Sequence, residues 1–414
     1  MAELTTLGPP VAGPSAPVVR AVPAALVSAA LMSTSALAYV FTVLAARALA
    51  PHAYGELAAL LGVALVGAVP ATGLQTAAAL ELGGHRGDPR RLIHRLHATA
   101  LAGAVGVAVV GAFGIVPVVG LLHLPDPFAV VWVLVLLVAH TVVGGYEGVL
   151  QGTGRYARMA VVTTSFGVAK LAGGVAGLLA GGTPTAAVAG MALGATLGVL
   201  AGWLGADRPG VARGIDAPGR SALRASGALL GFVLLLNLDV LLARHHLPGA
   251  LAGEYAVAAV FAKVAFWLPQ GVGVVLLPRL ADAGLRSRAV GRAIGVVTVL
   301  GAGLTLLAAA LGGRALSLVG GSAYGSELGD AVWLFAALGT LLAVAQLLLY
   351  SGIAAADRRS VLAVWTAAVA QCVAVEVLAA TGRLSMLSIA ATAAVTAGVL
   401  VATGLRRLLS ARAQ

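Results

Sequence analysis

The chain of 414 residues is 60% hydrophobic and only 10% charged, with a mean hydropathy of +1.00. So little polar surface excludes a soluble globule and places the chain in a bilayer. The formal net charge of +11 reads as basic loops facing anionic headgroups, so no nucleic-acid partner is expected.

Residues 1–23 contain Pro9, Pro10, Pro14, Pro17 and Pro23, with neither a basic n-region nor an apolar h-region. They read as a disordered cytoplasmic tail, not a cleaved signal. Apolar runs of about 20 residues, the length that crosses about 30 Å of hydrocarbon as a helix, then recur along the chain. They fall at 24–46, 57–80, 96–121, 129–151, 159–181, 185–206, 226–243, 252–278, 292–312, 329–351, 361–380 and 385–405. These predict an all-α polytopic membrane protein of about twelve spans. The short connections leave no room for a globular catalytic or nucleotide-binding domain.

Lys and Arg in short loops are retained on the cytoplasmic side. With the N-terminus inside, twenty arginines fall in inner segments, among them Arg90, Arg155, Arg208, Arg292, Arg358 and Arg406, and only Arg47, Arg244, Arg314 and Arg383 fall outside. Both termini are therefore expected in the cytoplasm of a multi-pass bacterial cytoplasmic membrane protein. The longest polar interruption, 207–225, separates spans six and seven. It predicts a six-helix bundle over 24–206, a cytoplasmic linker, a second six-helix bundle over 226–405 and a basic tail over 406–414.

An internal repeat supports that division. Arg47-x3-Pro51-x3-Gly55-Glu56 is echoed by Arg244-x3-Pro248-x4-Gly253-Glu254, and each copy leads into an apolar run broken by a proline, Pro70 or Pro269. Duplicated membrane hairpins with the substrate site between the halves are a signature of secondary transporters. The matched prolines remove a backbone hydrogen bond each, as hinges or as static kinks. Glycines at intervals of four, Gly173, Gly177 and Gly181 in span five and Gly190, Gly194, Gly198 and Gly202 in span six, predict close backbone packing of the two helices.

Ionisable residues within the spans are costly unless paired or lining a cavity, so they are the candidate site. The two lysines of the chain, Lys170 and Lys263, lie deepest. Either they face a cavity and meet an anionic substrate group such as a phosphate, or they pair with carboxylates on neighbouring helices. Gln75, Gln270 and Trp267 are the other candidate substrate contacts, the glutamines also as cover for carbonyls freed by the prolines. Asp239, with Asn237, and Glu147 are candidate ion-coupling residues. The plainer alternatives are an ion pair of Asp239 with Arg244 one and a half turns on, and simple solvation of Glu147 and Glu376 near the interfaces.

There is no G-x4-GK[ST] loop, HExxH or nucleophile elbow, so no enzyme, catalytic residue or cofactor is expected. The single Cys372 excludes an intramolecular disulfide. His245-His246 is too isolated in the sequence to argue for a metal.

Three segments resemble the polysaccharide transporter family of the multidrug/oligosaccharidyl-lipid/polysaccharide (MOP) flippase superfamily. They are ARALAPHAYGELAALLG (46–62), with Arg47, Leu49, Pro51, Tyr54 and Gly55; GVLQGTGRYARM (148–159); and the stretch 252–282, with Gly253, Tyr255, Ala258 and Pro278. The resemblance implies two pseudo-symmetric bundles forming a V, alternating access, and a glycan carried on a polyprenyl diphosphate or another amphiphilic substrate. Membrane lipids, a glycan polymerase and glycosyltransferases are its implied partners. The alternative is a MATE-like multidrug or metabolite cation antiporter on the same fold.

Overall fold

The computed structural model describes residues 21–85, 87–212, 220–267, 283–325, 327–354 and 357–410. Among them, helix dominates and no strand occurs. The helices are α1 (Ala21–Ala48), α2 (Pro51–Gly67), α3 (Val69–Gly84), α4 (Arg90–Leu121), α5 (Phe128–Gly152), α6 (Tyr156–Gly181), α7 (Pro184–Gly205), α8 (Arg220–His246), α9 (Gly249–Trp267), α10 (Ala283–Leu311), α11 (Gly313–Gly320), α12 (Val332–Ala354), α13 (Arg358–Ala380) and α14 (Met386–Ser410).

Eleven spans are long and apolar enough to cross a membrane, α2 and α3 together forming one, and α1 contributes the shorter apolar stretch Met32–Ala48. These account for the twelve expected runs. Pro269, Gln270 and Pro278 lie outside the described residues. The short α11 was not expected, because a one-charge, glycine-rich octet carries no span signal. Gly312 (φ +51°) and Gly321 (φ +87°) bracket it in backbone conformations that suit glycine.

Helices start ahead of their apolar runs because polar residues satisfy their first amides. Thr183 accepts from Ala186 N at 3.2 Å, Asp126 from Phe128 N at 2.9 Å and Asp357 from Arg359 N at 2.9 Å. Pro51 sits in the first turn of α2, where its missing N–H is not needed. Pro70 sits in the first turn of α3 and accompanies a break at Ala68, so the second span is kinked where the sequence placed a proline.

Two helices organise the packing. In the first half of the chain α5 touches α2, α3, α4, α6 and α7, and in the second half α12 touches α8, α9, α10, α13 and α14. The halves meet where α2 packs on α8 and α9 and where α3 packs on α8. The glycine seam is present: a Cβ on Gly190 would overlap the Gly173 carbonyl, and one on Gly194 would overlap the Ala169 carbonyl. A second seam joins α5 to α3, where Gly144 and Gly152 approach the carbonyl oxygens of Ala71 and Ala79 so closely that a Cβ would lie 2.7 and 2.8 Å from them. Phe113 and Val116 of α4, 81% and 80% exposed, belong to an apolar outer face suited to lipid.

The face carrying residues 47–56 and 244–254 is called the repeat face, and the opposite one the linker face. On the linker face Tyr146 Oη donates to His97 Nε2 at 3.1 Å, leaving His97 Nδ1–H to donate to Gly210 O at 3.1 Å. Arg158 Nη1, at 2.6 Å, and Arg155 both donate to the Asp207 carboxylate. They hold its carboxyl below the usual carboxylate range. A depressed folded-state value gives stability that is present above the unfolded value of about 3.9 and lost as pH falls through the folded value. Asp207 is exposed, so the pair is screened and worth less than about 1 kcal/mol. In detergent, thermal unfolding of Asp207→Asn should show a small loss at pH 7 that shrinks as the pH falls below about 3.9 and disappears once the folded-state carboxyl is protonated.

Candidate functional site

The repeat forms part of the contact between the halves, and each copy reaches across. A Cβ on Gly55 would lie 2.9 Å from Gly253 N, and one on Gly253 would lie 3.0 Å from Pro51 Cα and overlap the Pro51 carbonyl. Arg47 Nη2 donates to Leu318 O at 2.6 Å at the C-terminal end of α11, a helix of the second half. Arg244 donates to Leu122 O at 3.0 Å and His123 O at 3.2 Å, just past the C-terminal end of α4 in the first half. Both arginines therefore cap the free carbonyls, and the negative dipole end, of a helix in the opposite half. Arg244 also pairs with Glu56 at 3.2 Å, while Glu254 accepts from Glu327 N and Leu328 N at 3.0 and 2.9 Å. The repeat face is interlocked in this structure.

Beneath it lie two sets of polar residues, one in each half. In the first, Thr163 Oγ1 of α6 donates to Glu147 Oε1 of α5 at 2.6 Å. Glu147 is thus partly buried and specifically held, which replaces the expectation of simple solvation. Lys170 is two turns further along α6, about 21 Å from its start by helical rise. Its Nζ lies 5.8 Å from the centre of the Phe166 ring, and His140 of α5 stands edge-on to the same ring at 5.2 Å. Lys170 interacts electrostatically with both Glu147 and His140.

In the second set Tyr255 Oη of α9 donates to Asp239 Oδ2 of α8 at 3.0 Å, and Asp239 is 4% exposed. The expected Asp239–Arg244 pair is not formed, since Arg244 turns to Glu56 and the α4 carbonyls. Five residues along a helix is an offset of about 500°, which points the two side chains some 140° apart. Asn237 does not join Asp239 either. Two positions separate them by about 200°, so Asn237 faces Gly62 of α2 while Asp239 faces α9. Asn237 Nδ2 donates to Val233 O at 2.8 Å, and its buried Oδ1 has no hydrogen-bond partner among the described residues. Lys263 lies two turns beyond Tyr255 and interacts electrostatically with Asp239. Its carbonyl accepts from Tyr39 Oη of α1 at 2.9 Å.

Among the described residues neither lysine has a carboxylate within 4.0 Å, whereas Arg244 and Glu56 pair at 3.2 Å. Gln75 donates to Gln151 Oε1 at 3.2 Å, tying α3 to α5 instead of covering a carbonyl. Trp267, 41% exposed, ends α9 edge-on to Phe266. The sequence reading missed His140, Thr163 and Phe166 as site residues and named Tyr255 only within a resembling segment. His140 was detectable as an ionisable residue 12 positions into α5; Thr163 and Phe166 carry no signal without a partner helix. An open groove of about 1000 Å³ runs between α13 and α14 with Arg359 and Arg407 at one end, and it includes none of these residues.

No family model matches the chain, and no curated protein is similar to it. Solved structures do match. An inward-facing multidrug resistance MATE family transporter of the MOP superfamily aligns with a TM-score of 0.65 at 14% identity, over 91% of this chain and 95% of that one. An outward-facing form of such a transporter aligns with a TM-score of 0.59 at 12% identity, over 95% of each chain. A MOP superfamily transporter from Pyrococcus furiosus, described as having a binding pocket of reverse polarity, aligns with a TM-score of 0.56 at 14% identity over 94% of each. With its helices and spans, this chain has a MATE-like, all-helical membrane transporter fold.

Proposed function

We propose that the chain is a secondary exporter that works by alternating access, exchanging a proton or small cation at Asp239 for an amphiphilic substrate, in the manner of a MATE-like antiporter. The observation that carries this reading is the environment of Asp239: a buried intramembrane carboxylate whose side-chain hydrogen bond comes from a neutral hydroxyl, not from a cation. Such a group can take up and release a proton or cation at modest cost, whereas one locked to arginine cannot. Glu147 with Thr163 offers the same chemistry nearer the linker face. The two carboxylates lie toward opposite faces with the lysines between them, an arrangement suited to sites exposed alternately. In this reading the repeat face is external and both termini are cytoplasmic, as the arginine distribution requires.

A lipid-linked glycan precursor is the second reading, favoured by Lys170 and Lys263, whose ammonium groups would meet an anionic diphosphate. The two readings make opposite demands on the residues. In proteoliposomes with an imposed pH gradient, the wild type should export ethidium, Asp239→Asn should lose at least tenfold in rate, and Lys170→Gln should stay within twofold. Loss in Lys170→Gln with full activity in Asp239→Asn would overturn the antiporter reading.

A further inference from the structure

His245 and His246 end α8 on the repeat face, and the fold brings Glu376 of α13 to them from 130 residues away. His246 Nε2 lies 3.1 Å from Glu376 Oε1, and one potential ligand atom from each of the three residues lies within 4.8 Å of the others. Bonds of about 2.0–2.2 Å to zinc place adjacent ligand atoms of a tetrahedron about 3.3–3.6 Å apart. In this structure that pair is a hydrogen bond, the carboxylate accepting from Nε2–H; a metal would take the place of that proton, and Glu376, 59% exposed, has room to shift the few tenths of an ångström that such an edge requires.

His245 is also oriented in the way that metal-bound imidazoles are. Its Nδ1 lies 2.6 Å from Leu121 O. A carbonyl only accepts, so Nδ1 carries the hydrogen and Nε2 keeps the lone pair. Its ring stacks on His123 with centroids 5.3 Å apart and planes 20° apart. The groups that orient it, Leu121 and His123, belong to the first half of the chain, while all three ligands belong to the second.

We propose that His245, His246 and Glu376 form a transition-metal site of the zinc class on the repeat face, with the fourth position open to water and full affinity only while that face is interlocked. Two imidazoles and a carboxylate are the ligand set of zinc sites that keep an open position. By linkage, a metal that prefers the interlocked state must also stabilise it.

The test is zinc chloride titrated into the full chain, purified in detergent with any affinity tag removed and stripped with chelator. One zinc ion per chain should bind, and His246→Ala and Glu376→Gln should each weaken the dissociation constant at least tenfold. Gly253→Val, which drives the two repeat copies apart, should weaken it tenfold as well. X-ray absorption at the zinc edge of the wild type should show two imidazole ligands, a readout independent of whether any variant folds. Substoichiometric binding, binding unchanged in the two ligand variants, or an all-oxygen shell would overturn the site; unchanged affinity in folded Gly253→Val would overturn its link to closure.

Discussion

Replacing Arg244 by methionine is expected to cost about 3–5 kcal/mol of stability, because it leaves Glu56 as an uncompensated, nearly buried charge. Arg244 is 7% exposed, and the Glu56 side chain is 14% exposed. The substitution also strips the donors from Leu122 O and His123 O at the end of α4. Arg47→Met is the control. Arg47 binds only carbonyls and is exposed, so its loss should be near 1 kcal/mol. Adding Glu56→Gln to Arg244→Met should recover a large part of the loss, since it removes the orphaned charge; neighbouring pairs of this kind couple by about 0.5–3 kcal/mol. The measurement is unfolding by a denaturing detergent in mixed micelles. A loss below about 1 kcal/mol for Arg244→Met would mean that water reaches Glu56 and that the interlock contributes little.

Gly190→Val should also be damaging, by steric means. The added Cβ would overlap the Gly173 carbonyl oxygen and lie 2.8 Å from its carbon and 3.1 Å from Gly177 Cα. All three are backbone atoms, so no side-chain rotation relieves the clash and α6 and α7 must separate along their packed length. Overpacking of this kind costs about 1–3 kcal/mol and more where the backbone cannot yield. Recovery of folded, monodisperse protein should fall sharply. Gly106→Ala in α4 is the matched control: nothing lies within 4 Å of its added Cβ, and alanine in place of a helical glycine gains about 0.5–1 kcal/mol. Equal yields of the two variants would show that the α6–α7 seam is loose.

The number and order of the spans among the described residues and the glycine-lined contact of α6 with α7 were legible in the sequence, because hydropathy and four-residue spacing are local properties. The repeat was legible too, yet only as a duplicated hairpin. The structure shows that its arginines cap helices, and that those helices belong to the opposite half. Nothing in the order of residues states that Arg47 meets α11 or that Arg244 meets α4.

The candidate site divides in the same way. That Lys170, Lys263, Asp239 and Glu147 are the residues to examine follows from sequence alone, since an ionisable group within an apolar run needs a reason to be there. Their partners do not follow. Each residue advances a helix by about 100°, so Asp239 turns away from both Asn237 and Arg244 and finds Tyr255 on the next helix, while Glu376 reaches His246 across 130 positions. Composition and periodicity determine which segments enter the membrane and which side chains must be satisfied there; only the packing of one helix face on another decides what satisfies them.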